Sequence, residues 1–176
     1  MENSYKMWPM LAGNENSNVR KDLVTEPILN LLRAKPVIRA EFLQFFEKCY
    51  IGESPLFLFA VLEFKGRPTI DEFAKAYDEY IKEGAPNQVN LSNQLRGPLD
   101  VFMAAHRSAV GNTEGTHNFP LPVPRTKLDA CFAEILHLSN LAICGRAEVH
   151  AALKKFLEQN IVDKPVGGKL WATKGA

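Results

Sequence analysis

The chain has 176 residues, of which 46% are hydrophobic, and its formal net charge is +1. This length predicts one domain with a core of its own, and the near-neutral charge argues against a dedicated nucleic-acid binder, which normally has a basic face. Three cysteines without a CxxC pair, no signal peptide and no apolar run long enough to cross a bilayer predict a cytoplasmic protein with reduced thiols and no transmembrane segment.

The composition divides the chain into three parts. Residues 1–21 are polar and predict a disordered leader, and residues 161–176 predict a flexible tail. Residues 22–160 show helical periodicity and predict one domain, interrupted by a long loop at 111–126. The predicted helices are, in chain order, Leu23–Arg33, Val37–Cys49, Pro55–Phe64, Ile70–Glu83, Leu99–Val110, Lys127–Leu141 and Ala147–Leu157.

The third of these helices is expected at the centre of the fold. Ser54 and Pro55 form a start signal, because serine can cap a first turn and proline fits the first helical position. The run that follows has one charge, Glu63, so the helix is apolar all round and should be enclosed by the others. No run alternates in the manner of an exposed strand, and the sequence therefore predicts an all-α bundle.

Local signals bound the next two helices. Thr69 and Glu72 have the spacing of a capping box, and Gly84 is a stop signal because it can adopt the left-handed conformation. Gly97 and Pro98 predict a break before the following helix.

The sequence offers little catalytic chemistry. Cys131, His137, Cys144 and His150 are six, seven and six residues apart, and side chains six apart on a helix point in different directions. A zinc site is therefore disfavoured, and a Cys–His nucleophile pair has no supporting glycine elbow. No phosphate-binding loop is present. We expect no catalytic residue, no metal and no cofactor.

Two loops have alternative interpretations. The PLPVP segment, residues 120–124, is typical of a stiff connection, although an SH3-type contact is the alternative. In the loop Asn87–Ser92, the Asn90 side chain either closes a turn on its own backbone or is an exposed amide held between the apolar anchors Val89 and Leu91.

The residues around Asn90 resemble a known family. The segment AKAYDEYIKEGAPNQVNLSNQLR, Ala74 to Arg96, is similar to the central part of the regulator of G-protein signalling (RGS) domain. Further similarities follow the family's order along the chain over roughly residues 22–158, at Phe42-Leu43, Tyr50, Glu53, the run from Phe57 to Lys65, and Leu128-Asp129.

The resemblance implies a bundle of about eight to nine helices that binds activated Gα subunits. Such a domain supplies no catalytic group; it stabilises the Gα switch regions in the shape that suits GTP hydrolysis. It would be cytoplasmic and would reach the inner face of the plasma membrane only through its partners. The implied contact residues are Tyr50, Glu53, Ser54, Asn90, Ser92, Leu138 and Arg146.

Departures from the family pattern support an alternative function. Ser54 stands where the family usually has Asn, Ser92 where it has Asp, and Ala142 where an Asp pairs with the arginine matched by Arg146. Leu58 replaces the family's central tryptophan, and the loop from Gly97 to Thr126 is longer than usual. The alternative is an RGS-homology scaffold that binds a partner without accelerating GTP hydrolysis.

Overall fold

The computed structural model describes residues 22–64, 68–111 and 123–161, with side chains up to residue 109 in the second stretch. The predicted leader (1–21), the tail beyond residue 161 and most of the 111–126 loop, including residues 120–122 of PLPVP, lie outside the described residues. The described residues form seven α-helices and no strand, which confirms the all-α prediction.

Seven helices make up most of the described residues. Their bounds are α1 Glu26–Arg33, α2 Pro36–Glu47, α3 Glu53–Glu63, α4 Ile70–Ala76, α5 Asn93–Gly111, α6 Arg125–Cys144 and α7 Ala147–Asn160. Helix α4 continues directly into a π-helical turn, Tyr77–Ile81, which the sequence pattern did not predict.

Helix α3 lies at the centre of the bundle, as its composition predicts. Phe57, Leu58, Phe59 and Val61 are all buried. The helix packs against α1, α2 and α4, and most extensively against α6. A helix without a polar face needs this enclosure on several sides, because each apolar side chain contributes about 1.5–3 kcal/mol only when it leaves water.

Aromatic rings join the helices around α3. The ring centroids of Phe42 on α2 and Phe59 on α3 are 6.3 Å apart, and those of Phe57 and Tyr80 are 6.0 Å apart. Phe73 on α4 meets Phe102 on α5 at 5.6 Å in an edge-to-face arrangement. These tilted and edge-to-face contacts suit the charge distribution of the rings and fix how the helices approach one another.

The capping box on α4 is confirmed, whereas the helix ends before the predicted stop at Gly84. The Thr69 hydroxyl accepts a hydrogen bond from the Glu72 amide at 3.2 Å, and the Glu72 carboxylate accepts one from the Thr69 amide at 2.7 Å. Gly84 has φ 75°. The helical hydrogen bonding ends two residues before this glycine, at Lys82, whose amide donates to the Tyr77 carbonyl at 2.9 Å.

Two predicted helix starts are wrong. Helix α5 begins at Asn93 rather than Leu99, and Pro98 lies inside it. Proline removes only one helical hydrogen bond here, and Gly97 before it has no Cβ to clash with the proline ring. Helix α3 begins at Glu53, so Ser54 is its second residue rather than its cap, and no side chain caps the start.

The prediction that α1 begins at Leu23 is also wrong. Leu23 and Val24 precede the helix, are buried, and are held by Asn140 of α6. The Val24 amide donates to the Asn140 side-chain oxygen at 2.9 Å, and the Asn140 side-chain nitrogen donates to the Val24 carbonyl at 2.8 Å. One buried amide therefore satisfies both backbone groups of a residue 116 positions away, which local patterns cannot reveal.

We expect Asn140→Ala to lower the free energy of unfolding by about 2–4 kcal/mol, because it leaves two buried backbone groups without partners. Asn160→Ala is the matched control, since the Asn160 side chain donates only within its own helix, to Phe156. Chemical denaturation measures both. If both variants lower the free energy of unfolding equally, the hydrogen bonds between Asn140 and Val24 do not account for the loss of stability.

Candidate functional site

Arg146 and Tyr50 bring together two turns that are distant in sequence, the one between α2 and α3 and the one between α6 and α7. Tyr50 lies between α2 and α3, is 85% exposed, and has φ 58°. The Arg146 guanidinium, just before α7, lies 5.3 Å from the centroid of the Tyr50 ring, and its Nη1 donates to the Lys48 carbonyl. Arg146 therefore takes its orientation from a ring and a carbonyl, although Ala142 offers it no carboxylate.

The two residues after this turn differ in exposure. Glu53 is partly exposed at the first position of α3, where a negative charge suits the helix dipole. Ser54 is only 6% exposed, and its amide donates to the Ile51 carbonyl at 3.1 Å. In this conformation Glu53 is available to a partner, whereas the Ser54 side chain is covered.

Asn90 occupies the tip of a tight turn. The Leu91 amide donates to the Val89 carbonyl at 3.0 Å, so the backbone itself closes the turn. Val89 and Leu91 on either side are buried, and Asn90 is exposed. Its side chain makes no hydrogen bond with any residue that the structure describes. The side-chain oxygen and the side-chain nitrogen of Asn90 are therefore both available to a binding partner.

The Asn90 loop is braced against the π-helical turn before it. The Val89 amide donates to the Tyr80 carbonyl at 2.8 Å, and the Asn87 amide donates to the Glu79 carbonyl at 3.0 Å. The Asn87 side chain also donates to the Glu79 carboxylate. π-Helical turns are often found at functional sites, and this one exposes the carbonyls that anchor the loop.

Ser92 ties the same loop to α6. Its amide donates to Glu134 Oε1 at 2.9 Å, and its hydroxyl donates to Glu134 Oε2 at 3.2 Å. The Ser92 carbonyl in turn accepts from Leu95 and Arg96 in the first turn of α5. Glu134 was not among the predicted site residues, and its distance of 42 positions from Ser92 left no local signal.

Helix α6 connects these features. Glu134, Leu138 and Leu141 follow at spacings of four and three, so they share one side of the helix. Leu138 is partly exposed and Leu141 is 55% exposed. At 1.5 Å per residue, roughly 15 Å separate Glu134, which holds the Asn90 loop, from Cys144 at the end of the helix, two residues before Arg146, which holds Tyr50. The predicted residues Tyr50, Asn90, Ser92, Leu138 and Arg146 are therefore all linked to one helix.

Helix α6 also carries a buried thiol, Cys131. Burial raises the pKa of the Cys131 thiol to about 11, so it is protonated at neutral pH. Among the described residues, no group of three or more His, Cys, Asp or Glu side chains is placed to hold a metal ion.

Within the described ranges no single helix is both long and apolar enough to cross a bilayer. Helices α6 and α7 meet such a criterion by length and composition only when they are joined across the 112° bend between them.

Comparison with known proteins gives no further identification. No family model matches the chain, and neither the curated proteins nor the solved structures include a significant match.

We predict that Glu134→Ala loosens the Asn90 loop and costs about 1 kcal/mol of stability, since it removes two hydrogen bonds at a solvent-exposed position. The local readout is hydrogen exchange at the Ser92 amide, which should become faster. Glu158→Ala, an exposed change on α7, is the control and should leave that exchange rate unchanged. If the Ser92 amide exchanges at the same rate in Glu134→Ala as in the wild type, Glu134 does not hold the Asn90 loop in place.

The Tyr77 hydroxyl donates a hydrogen bond to Asp100 of α5 at 2.7 Å. Burial, with a smaller effect of that hydrogen bond, raises the pKa of Tyr77 to about 12, from an ordinary value near 10. The fold favours the neutral phenol, so its stabilisation is complete below about pH 10 and is lost as the pH rises towards 12.

Tyr77→Phe should therefore be less stable than the wild type at neutral pH, and the difference should narrow between about pH 10 and pH 12. Unfolding free energies at several pH values measure this difference, and the ultraviolet absorbance of tyrosinate follows the titration. A difference that stays constant over this range would mean that Tyr77 is not held as the neutral phenol.

Proposed function

We propose that this chain is a divergent RGS-like domain that binds activated Gα subunits and accelerates their GTP hydrolysis. One observation carries the proposal: Asn90 offers an exposed amide without a hydrogen bond to the described residues, at the tip of a turn anchored by buried Val89 and Leu91. The resemblance of Ala74–Arg96 to the RGS domain gives this amide its proposed role, and the family's larger bundle of about eight to nine helices belongs to the same proposal.

The proposed mechanism places no reacting group on this chain. An amide both donates and accepts hydrogen bonds, so Asn90 would orient two groups of the Gα switch regions at once, including the glutamine that positions the attacking water. Holding the switches in their transition-state shape lowers the barrier only as far as this contact is stronger there than in the ground state. A rigid loop favours this, because little order is lost on binding.

The rest of the proposed contact surface surrounds α6. Tyr50 and Arg146 would form one part of the interface, with Glu53 beside them. The partly exposed Leu138 would give an apolar contact between this part and the Asn90 loop. Recruitment to the inner face of the plasma membrane would follow from binding Gα.

A scaffold that binds without acceleration is the second candidate, and particular side chains favour it. The Ser54 hydroxyl is covered, the Ser92 hydroxyl is already bonded to Glu134, and Ala142 has no carboxylate. Interface anchors each contribute about 1–3 kcal/mol, so several missing contacts are enough to remove acceleration while leaving association.

The experiment is single-turnover GTP hydrolysis by a panel of Gα subunits, with and without the chain, together with binding to Gα·GDP·aluminium fluoride. The proposal expects acceleration and preferential binding of this transition-state mimic. We expect Asn90→Ala to reduce acceleration about tenfold or more, the equivalent of one interface anchor. Its denaturation midpoint should be unchanged, because the side chain supports no internal contact.

Gln94→Ala is the matched control, since it removes another exposed amide four residues away. It should accelerate hydrolysis as well as the wild type does. Full activity of Asn90→Ala would remove Asn90 from the mechanism. Binding without acceleration by the wild-type chain would favour the scaffold, and no binding to any Gα would reject both candidates.

A further inference from the structure

A groove of about 350 Å³ lies between the end of α3 and the outer side of α4 with its π-helical turn. Phe64 and Tyr80 supply aromatic surface to it, and Ala60 and Ala76 add small apolar groups. Phe64 and Tyr80 are only partly buried, so their exposed faces are available to a further side chain. Grooves of this size and apolar character suit one aromatic group.

The rim of the groove is negatively charged. Among the residues that the structure describes, Glu63, Glu72 and Glu79 line it together with one positive side chain, Lys75. Glu72 is bonded to Thr69 and Glu79 to Asn87, and these neutral partners fix the carboxylates without cancelling their charge. Within the described part of the chain, Glu63 forms an ion pair with Arg39 at 3.6 Å, and Lys75 acts on Glu72 through its charge.

The pKa shifts of Glu72 and Tyr80 are consistent with a negatively charged groove. Hydrogen bonds from Thr69 lower the pKa of Glu72, which keeps its carboxylate ionised. Burial raises the pKa of Tyr80, and the neighbouring Glu79 and Glu63 raise it further. The groove therefore favours a ligand that combines an aromatic ring with positive charge.

The end of the described chain is linked to the groove through two side-chain hydrogen bonds. The Asn160 carbonyl at the end of α7 accepts from Lys35 Nζ at 3.2 Å. Two residues earlier, Arg33 Nη1 donates to the Leu62 carbonyl at the end of α3, next to Glu63 of the rim. Three chain segments thus meet at the end of the bundle that holds the groove, and the chain leaves α7 at that end.

The residues that follow have the matching composition. Segment 162–176, VDKPVGGKLWATKGA, contains three lysines, one acidic residue and Trp171. Trp171 comes ten residues after Ile161, and an extended chain of that length spans up to about 33–36 Å. Lys35 and Arg33 link the end of α7 to the end of α3 through two side-chain contacts, and we infer that a segment of this length reaches the groove.

We propose that segment 162–176 binds in the groove between α3 and α4, with Trp171 against Phe64 and Tyr80 and its lysines facing the rim carboxylates. The groove shares Tyr80 with the candidate site, because the Tyr80 carbonyl anchors Val89 beside Asn90. The segment would thus brace the π-helical turn that carries this loop. The proposal does not depend on what the Asn90 loop binds.

The test uses tryptophan fluorescence of the full chain. The chain has two tryptophans, so Trp8→Phe leaves Trp171 as the single reporter. We expect blue-shifted emission and protection from acrylamide quenching. Reversing the tail charges with Lys164→Glu, Lys169→Glu and Lys174→Glu should remove the protection, and it changes no described residue. About 1 M salt, with a Debye length of roughly 3 Å, should weaken it.

The matched control reverses three exposed lysines elsewhere, Lys127, Lys154 and Lys155, to glutamate, and protection should persist. Glu63→Lys with Glu79→Lys, added to the tail-reversed chain, should restore protection, which a general effect on folding would not do. Three results would each overturn the proposal. The first is a Trp171 that is quenched as readily as free N-acetyltryptophanamide. The others are a control variant that loses protection as fully as the tail-reversed chain, and a combined variant in which protection does not return. Protection that appears only at high protein concentration would place the segment on a second copy and overturn it as well.

Discussion

The constraint on which this structure depends is that α3 has no polar face. Its residues from Phe57 to Val61 leave water only if other helices cover them on several sides, and α1, α2, α4 and α6 do so. The free energy of burying these side chains is the largest favourable contribution that the helix can make, so the surrounding helices are positioned by it. The aromatic contacts of Phe42 and Tyr80 with α3 then fix the angles of approach.

Helix α6 is the second element of this arrangement, because its sides serve different purposes. Its buried side meets α3, and Asn140 at the edge of that side holds the segment before α1 through two backbone hydrogen bonds. Its exposed side carries Glu134 and Leu138, and it ends next to Arg146. The loops that bear Asn90 and Tyr50 are thereby attached to the same rigid helix, which is how a surface built from distant parts of the sequence keeps its shape.

The surface so formed presents groups that can make hydrogen bonds, ionic contacts and apolar contacts. Its exposed groups are an amide, a carboxylate, a guanidinium on an aromatic ring and leucine side chains, while the Cys131 thiol is buried and protonated. The two proposed functions differ in how many of these groups a partner can use. The hydrogen bonds between Ser92 and Glu134 bear on both functions. They hold the Asn90 loop in place, and they also occupy the Ser92 hydroxyl, which a partner then cannot use.

The sequence by itself determined the all-α class, the central position of α3, the capping box at Thr69 and the apolar anchors beside Asn90, because each depends on neighbours within a few residues. Only the tertiary structure decided that Leu23 and Val24 lie outside α1 and that Glu134 and Lys48 orient Ser92 and Arg146. Such outcomes depend on hydrogen-bond partners 42 to 116 positions away, and the requirement to satisfy buried or fixed polar groups can override local preference.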